Sequence, residues 1–360
     1  MTLAFGTPGK KHFAISNVVI AISNMPGGRE AQVMKKESRQ NRLKNNDSKL
    51  ARKKVAGLHT TNMSSVNTYG ASVSIKQCRN FKIDDIAVIR AALSELDLKR
   101  FRLMSYWDEH EKIQGEYDFA RLDAQIKTIT KQGGEITLCL GARQPRWPES
   151  HWPAWTKSMA KAQRNRALLN FIRTVVERYK HHTCIVSYQL ENEALLKNFG
   201  QNGDFDRNRL RREYALIKEL DPHRPIVMTT STSWGIPLRR PIPDIVGFSF
   251  YRITHNKGAY RKSIYQPWIF KFRTALIKYL WHRPCFIHEL QAEPWGPANI
   301  WDMGKTEQAK SMDIEILKLN IAAVSASTLY PIDMWGLEWW YWCRQNGQPE
   351  LWEYIKNLDK

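Results

Sequence analysis

From residue 68 onward the chain alternates short apolar runs of strand type with amphipathic segments of helical period. The runs are YGASVS (69–74), RFRLMSY (100–106), EITLCLG (135–141), CIVSYQL (184–190), PIVMTTS (225–231), DIVGFSF (244–250), CFIHEL (285–290) and STLYPIDMW (327–335). Most are separated by segments with apolar residues three and four apart, such as IDDIAVIRAALSEL and MAKAQRNRALLNFIRTVVERYK. Between the fifth and sixth runs the stretch WGIPLRRPIP is short and proline-rich, so one helix there is truncated. Near-continuous apolar strands need cover on both faces. Eight of them over about 290 residues fit an α/β fold of one (β/α)8 TIM barrel, spanning 68–360, better than a doubly wound sheet. No glycine-rich phosphate loop follows the first strand, which also disfavours a dinucleotide-binding fold.

Residues 1–67 lie outside this pattern and read as a disordered basic arm. Between Lys10 and Lys54 there are 12 Lys and Arg against Glu30, Glu37 and Asp47, a large part of the formal net charge of +20. Such an arm is attracted weakly and salt-dependently to anionic surfaces, but it lacks the interleaved aromatics of a base-stacking surface, so no specific nucleic-acid role is expected. The apolar run Phe13–Ile22 is too short to span a bilayer and lacks a clear cleavage site, and five cysteines without metal-ligand spacing do not settle the compartment. Cys139, Cys184 and Cys285 read as buried free thiols.

Two runs end in carboxylates: SYQLENE at Glu193 and FIHELQAEPWG at Glu289. A desolvated carboxylate at the end of a buried strand needs a partner or a task. In a parallel barrel the strand ends share one mouth, so two such groups make the acid and nucleophile pair that cleaves a glycosidic bond. Glu191 competes with Glu193, because alternation puts both on one strand face, and Glu293 competes with Glu289 from the following loop. The 14 Trp exceed what core filling requires and suit a cleft that stacks on sugar rings, as well as helix packing.

The AsnGlu pair after the fourth strand, the Glu ending the seventh, Tyr251 after the sixth and Trp335 after the eighth resemble clan A of the retaining glycoside hydrolases, the cellulase-like and β-galactosidase-like barrels. The resemblance covers residues 68–357 and includes YWDEHEKIQGEYDFARLDAQI after the second strand. It implies Glu193 as acid/base, Glu289 as nucleophile, Asn192 on the sugar 2-hydroxyl, Tyr251 orienting the nucleophile and Arg102 beside it. It also implies an oligo- or polysaccharide substrate held by Trp107, Trp147 and Trp335, with Arg143 offered from the loop after the third strand. His288 is expected to be structural or substrate-contacting, and Arg102 has a structural ion pair as its competing role. Neither step of a retaining cleavage requires a metal or organic cofactor. The alternative is a catalytically silent carbohydrate-binding barrel, and a basic nucleic-acid adaptor rests on the arm alone.

Overall fold

A computed structural model describes residues 68–196, 200, 205–232, 235–264 and 266–358, so the readings made for the arm lie outside the described residues. Among the described residues ten strands are β1 (Tyr69–Val73), β2 (Arg100–Met104), β3 (Glu135–Leu140), β4 (Ile185–Leu190), β5 (Ile226–Thr229), β6 (Ile245–Phe250), β7 (Ile253–Asn256), β8 (Ala259–Lys262), β9 (Cys285–Gln291) and β10 (Ile332–Trp335). Eight of them close into a barrel in the order β1-β10-β9-β6-β5-β4-β3-β2, every pairing parallel. This is the (β/α)8 architecture that the alternation dictates.

Alternation sorts each strand. Phe101 and Leu103 of β2, Leu138 and Leu140 of β3, and Tyr188 and Leu190 of β4 join the buried apolar layer beneath the helices. Arg102, Thr137, Ser187 and Gln189 are buried too, but bond to one another across the interior, Arg102 to Gln189 and Thr137 to Ser187. Helices begin at acidic or hydroxyl caps: Ser74 accepts from the Gln77 amide, Asp84 from Ala87, and Asp206 from Asn208 and Arg209.

The expected eighth strand, 327–335, narrows to Ile332–Trp335. Thr328 is left-handed at φ 59° and Pro331 has no N–H to give a ladder, so pairing starts only after it. The β7–β8 hairpin and the helices Ile75–Phe81, Leu337–Gln345 and Glu350–Lys356 are additions that the alternation did not announce. Between β5 and β6 no helix occurs among the described residues. There the Arg273 guanidinium, from the helix Pro267–Trp281, takes the carbonyls of Thr230 and Gly235 at 3.4 and 2.7 Å and the Thr230 hydroxyl at 2.8 Å. All five cysteines are free.

Candidate active site

β4 gives way to a turn in which Glu191 and Glu193 both adopt left-handed φ, 51° and 47°. Non-glycine residues rarely sit there, and such strain clusters at functional sites. The backbone is held by Glu191 N–H donating to Leu140 O (2.9 Å), Asn192 N–H to Arg143 O (2.6 Å) and Glu193 N–H to Thr229 Oγ1 (2.7 Å). The turn breaks the alternation that would have put both glutamates on one face. Glu191 turns sideways and accepts the amides of Ala142 (3.1 Å) and Arg143 (2.5 Å). Gly141 makes room for it: at φ 104°, an added Cβ would stand 2.6 Å from the Glu191 carboxyl carbon. Glu191 is therefore a tie between two strand ends, and Glu193 is left to the mouth.

Glu289 reaches the mouth through a bulge. β6 pairs Phe248 with Ile287 and then Ser249 with Glu289, while β10 pairs Ile332 with Ile287 and then Met334 with Leu290. Both ladders thus skip one residue of β9 after Ile287. Ile287 lies in the apolar layer outside the barrel, and strict alternation would send Glu289 after it. With His288 as the extra residue, Glu289 turns inward. There it forms an ion pair with Arg102 Nη2 at 2.8 Å and accepts the Tyr251 hydroxyl at 3.2 Å. Arg102 is fully buried and is aimed by Ser72 Oγ (2.7 Å) and Gln189 Oε1 (3.2 Å). His288 itself lies in the interior, Nδ1 at 2.9 Å from Asp333 and Nε2 at 2.8 Å from Gln189, a structural place.

The Glu193 environment is different. Oε1 accepts from Ser249 Oγ at 2.8 Å, and Oε2 is buried with no hydrogen-bond partner. Burial first, and the charge of Glu289 second, push its carboxyl up to about 8, against the downward pull of the Ser249 bond. One carboxylate is ion-paired and the other is held toward its neutral form. Two carboxyl groups so unequally placed are equipped for acid and nucleophile roles.

Asn192 is fixed at both ends, accepting from Gln189 Nε2 (3.0 Å) and donating to Glu149 Oε2 (2.8 Å). Glu149 was missed in the sequence. It follows exposed Trp147 and Pro148 in the loop after β3, at φ 71°, and burial raises its carboxyl to about 7. The available signal was a carboxylate in a strand-end loop. Ser249 was also missed; it lies near the end of β6, two residues before Tyr251. Trp335 ends β10 and carries the guanidinium of Arg146 at 4.2 Å and that of Arg102 at 5.1 Å from its ring centre. Arg146 also binds Glu293 at 2.6 Å, so the competitor for Glu289 is engaged elsewhere. Trp295, 45% exposed and edge-on to Tyr251 at 5.5 Å, adds an aromatic that the sequence reading did not single out.

Two expected substrate contacts are corrected. Trp107 is wholly buried among Trp152, Trp155 and Phe171, because the short helix Trp107–His110 turns its indole toward the helix layer. Arg143 is buried and donates to the carbonyls of Leu196 (3.1 Å) and Glu193 (3.3 Å), propping the turn after β4. No cluster of His, Cys, Asp and Glu suited to a metal ion occurs among the described residues.

The family model described as β-galactosidase, Glyco_hydro_42, matches residues 84–223, less than half of the chain but including β2, β3, β4 and Glu193. No curated protein matches the sequence. Among solved structures, an exo-β-1,4-mannosidase from Opitutaceae bacterium strain TAV5 aligns at TM-score 0.52 and 15% identity, over 75% of this chain and 51% of its own. A GH39 enzyme from Xanthomonas axonopodis pv. citri aligns at 0.51 and 17%, over 77% and 60%. A GH5_18 enzyme from Streptomyces cattleya aligns at 0.52 and 13%, over 74% and 69%. The chain thus spans about half the length of the mannosidase it resembles. At these identities the structural likeness speaks to the barrel alone, while the family match falls on three of its eight strands and on the turn that carries Glu193. The chain is thus similar to the β-galactosidase family model over residues 84–223, and its barrel is similar to those of the glycoside hydrolase structures.

Proposed function

We propose that the protein hydrolyses β-glycosidic bonds with retention, Glu289 acting as nucleophile and Glu193 as acid/base. The observation that carries this reading is the unequal setting of the two carboxylates: Glu289 on Arg102 and Tyr251, Glu193 with one oxygen unpartnered and its carboxyl raised to about 8. In the first step a Glu289 carboxylate oxygen bonds the anomeric carbon while Glu193 delivers its proton to the departing oxygen. Once the ester forms, the negative charge of Glu289 is gone. The main Coulombic force that raised Glu193 disappears with it, and Glu193 becomes able to take a proton from the incoming water. Water then bonds the anomeric carbon, and Glu289 leaves as carboxylate. Asn192 and the aromatic faces of Trp147, Trp295 and Trp335 hold the sugar.

Two variants and one anion test the roles. Glu289→Ala removes the group that forms the ester, so turnover of every glycoside is lost. Glu193→Ala keeps the first step for dinitrophenyl glycosides, whose leaving group departs without a proton, and slows release of the sugar. Azide then restores turnover in the Glu193 variant and yields the β-glycosyl azide. Azide rescue of the Glu289 variant with an α-azide product would reverse the assignment, and full activity in both variants would remove it.

A further inference from the structure

Between Asp244 and Glu289 the sequence has no acidic residue and eight lysines and arginines. At the centre of this segment the helix Pro267–Trp281 buries Ile269, Phe270, Arg273 and Ile277 against the barrel. Its outward face is not polar. Trp268, Phe272, Ala275 and Tyr279 recur at i, i+4, i+7 and i+11 and form one stripe, with Trp268 59%, Phe272 55% and Tyr279 80% exposed. Ile264, just before the helix, is 77% exposed, and Leu280 near its end 41%. Lys271 and Lys278 run along one edge of the stripe, both exposed. Outer helices of a barrel ordinarily turn charged residues to water, so this helix is apolar on the side that the barrel cannot cover.

We propose that this face docks on an anionic lipid bilayer. An aromatic stripe edged by lysine is the composition of helices that lie in the membrane interface, where rings enter the headgroup boundary and ammonium groups meet lipid phosphates. Charge decides between a bilayer and a second copy of the chain. With a net charge of +20 and no acid within this segment, two such faces repel each other, whereas an anionic leaflet attracts them. No described helix is long and apolar enough to cross a membrane, so the contact is peripheral. The helix runs antiparallel to the barrel strands, as βα units require. Docking along it lays the barrel on its side and leaves the mouth open at the rim.

The test is co-sedimentation of the full chain with vesicles of phosphatidylcholine alone and of phosphatidylcholine with phosphatidylserine. Binding is expected only to the anionic vesicles and should weaken as salt rises. Phe272→Ser with Tyr279→Ser should lower affinity at least about tenfold, and Lys271→Gln with Lys278→Gln about 30-fold. Both pairs are exposed, so thermal melting should stay at the wild-type value. The proposal is overturned if the wild type ignores anionic vesicles, or if the Phe272/Tyr279 variant binds them as well as wild type does, which would assign binding to the basic arm. It is equally overturned if the same substitutions instead break up a dimer in lipid-free solution.

Discussion

Ser249 and Glu289 are Cα partners on adjacent parallel strands, and the Ser249 hydroxyl donates at 2.8 Å to Glu193. One ladder position thus sets the nucleophile candidate beside the residue that holds the acid candidate. Because the Ser249 bond favours the charged form of Glu193, removing it works against ionisation. Ser249→Ala should move the alkaline limb of the kcat/KM profile to higher pH, by up to about one unit. A shift to lower pH, measured on an aryl glycoside, would contradict the role given to this hydroxyl.

Glu149 acts with the opposite sign. Its charge is one of the influences that raise Glu193, and its carboxyl holds the Asn192 amide that a sugar hydroxyl would use. Glu149→Gln should lower the pH at which activity falls. It should also change KM more for a substrate with the 2-hydroxyl than for its 2-deoxy counterpart. Equal effects on both substrates would place Glu149 outside the sugar's reach.

Arg102 joins stability to chemistry. It is fully buried, and its removal leaves Glu289 without its cation. Arg102→Met should cost about 3–5 kcal/mol in a denaturant titration and abolish turnover. Retention of stability would mean that the ion pair is replaced by water entering from the mouth.

The tryptophans divide by burial. Trp107 has no exposed surface and should cost about 3–5 kcal/mol on replacement by Ala. Trp147, 69% exposed, should leave stability within about 0.5 kcal/mol and raise KM. Paired melting curves and kinetics for the two variants read this contrast directly.

The raised carboxyls also make stability depend on pH. Glu193 is lifted from 4.5 to about 8 and Glu338 to about 7, both chiefly by burial. Between pH 4.5 and about 7 to 8 these two carboxyls therefore bind more protons in the folded chain than in the unfolded one, and the stability they contribute falls as pH rises through this window. Glu193→Gln removes part of that slope. Its melting temperature should exceed that of wild type by more at pH 8.5 than at pH 5, and a constant difference would show that Glu193 does not titrate in the window.

Much of this was legible because the barrel rests on period. Eight apolar runs announced eight strands, and two of them ended in the glutamates that the mouth presents. What escaped depends on backbone detail that period does not carry. Glu191 and Glu193 share a parity in the sequence, and only the two left-handed residues of the turn separate their directions. Trp107 lies in a stretch that resembles the family's, yet its short helix points it into packing. Glu149 is brought to Asn192 by a loop whose path no local propensity encodes.

The extra residue at His288 has an evolutionary reading. Were His288 paired regularly in the ladder, Glu289 would fall on the parity of Ile287, among the apolar residues under the helices. Deleting it would instead set the glutamate directly after Ile287, still facing Arg102 on a straighter β9, and would remove the bonds to Asp333 and Gln189. The extra residue therefore leaves the direction of the carboxylate unchanged and adds a polar bridge inside the barrel, so a comparison of sequences should look there for insertions and deletions as well as substitutions.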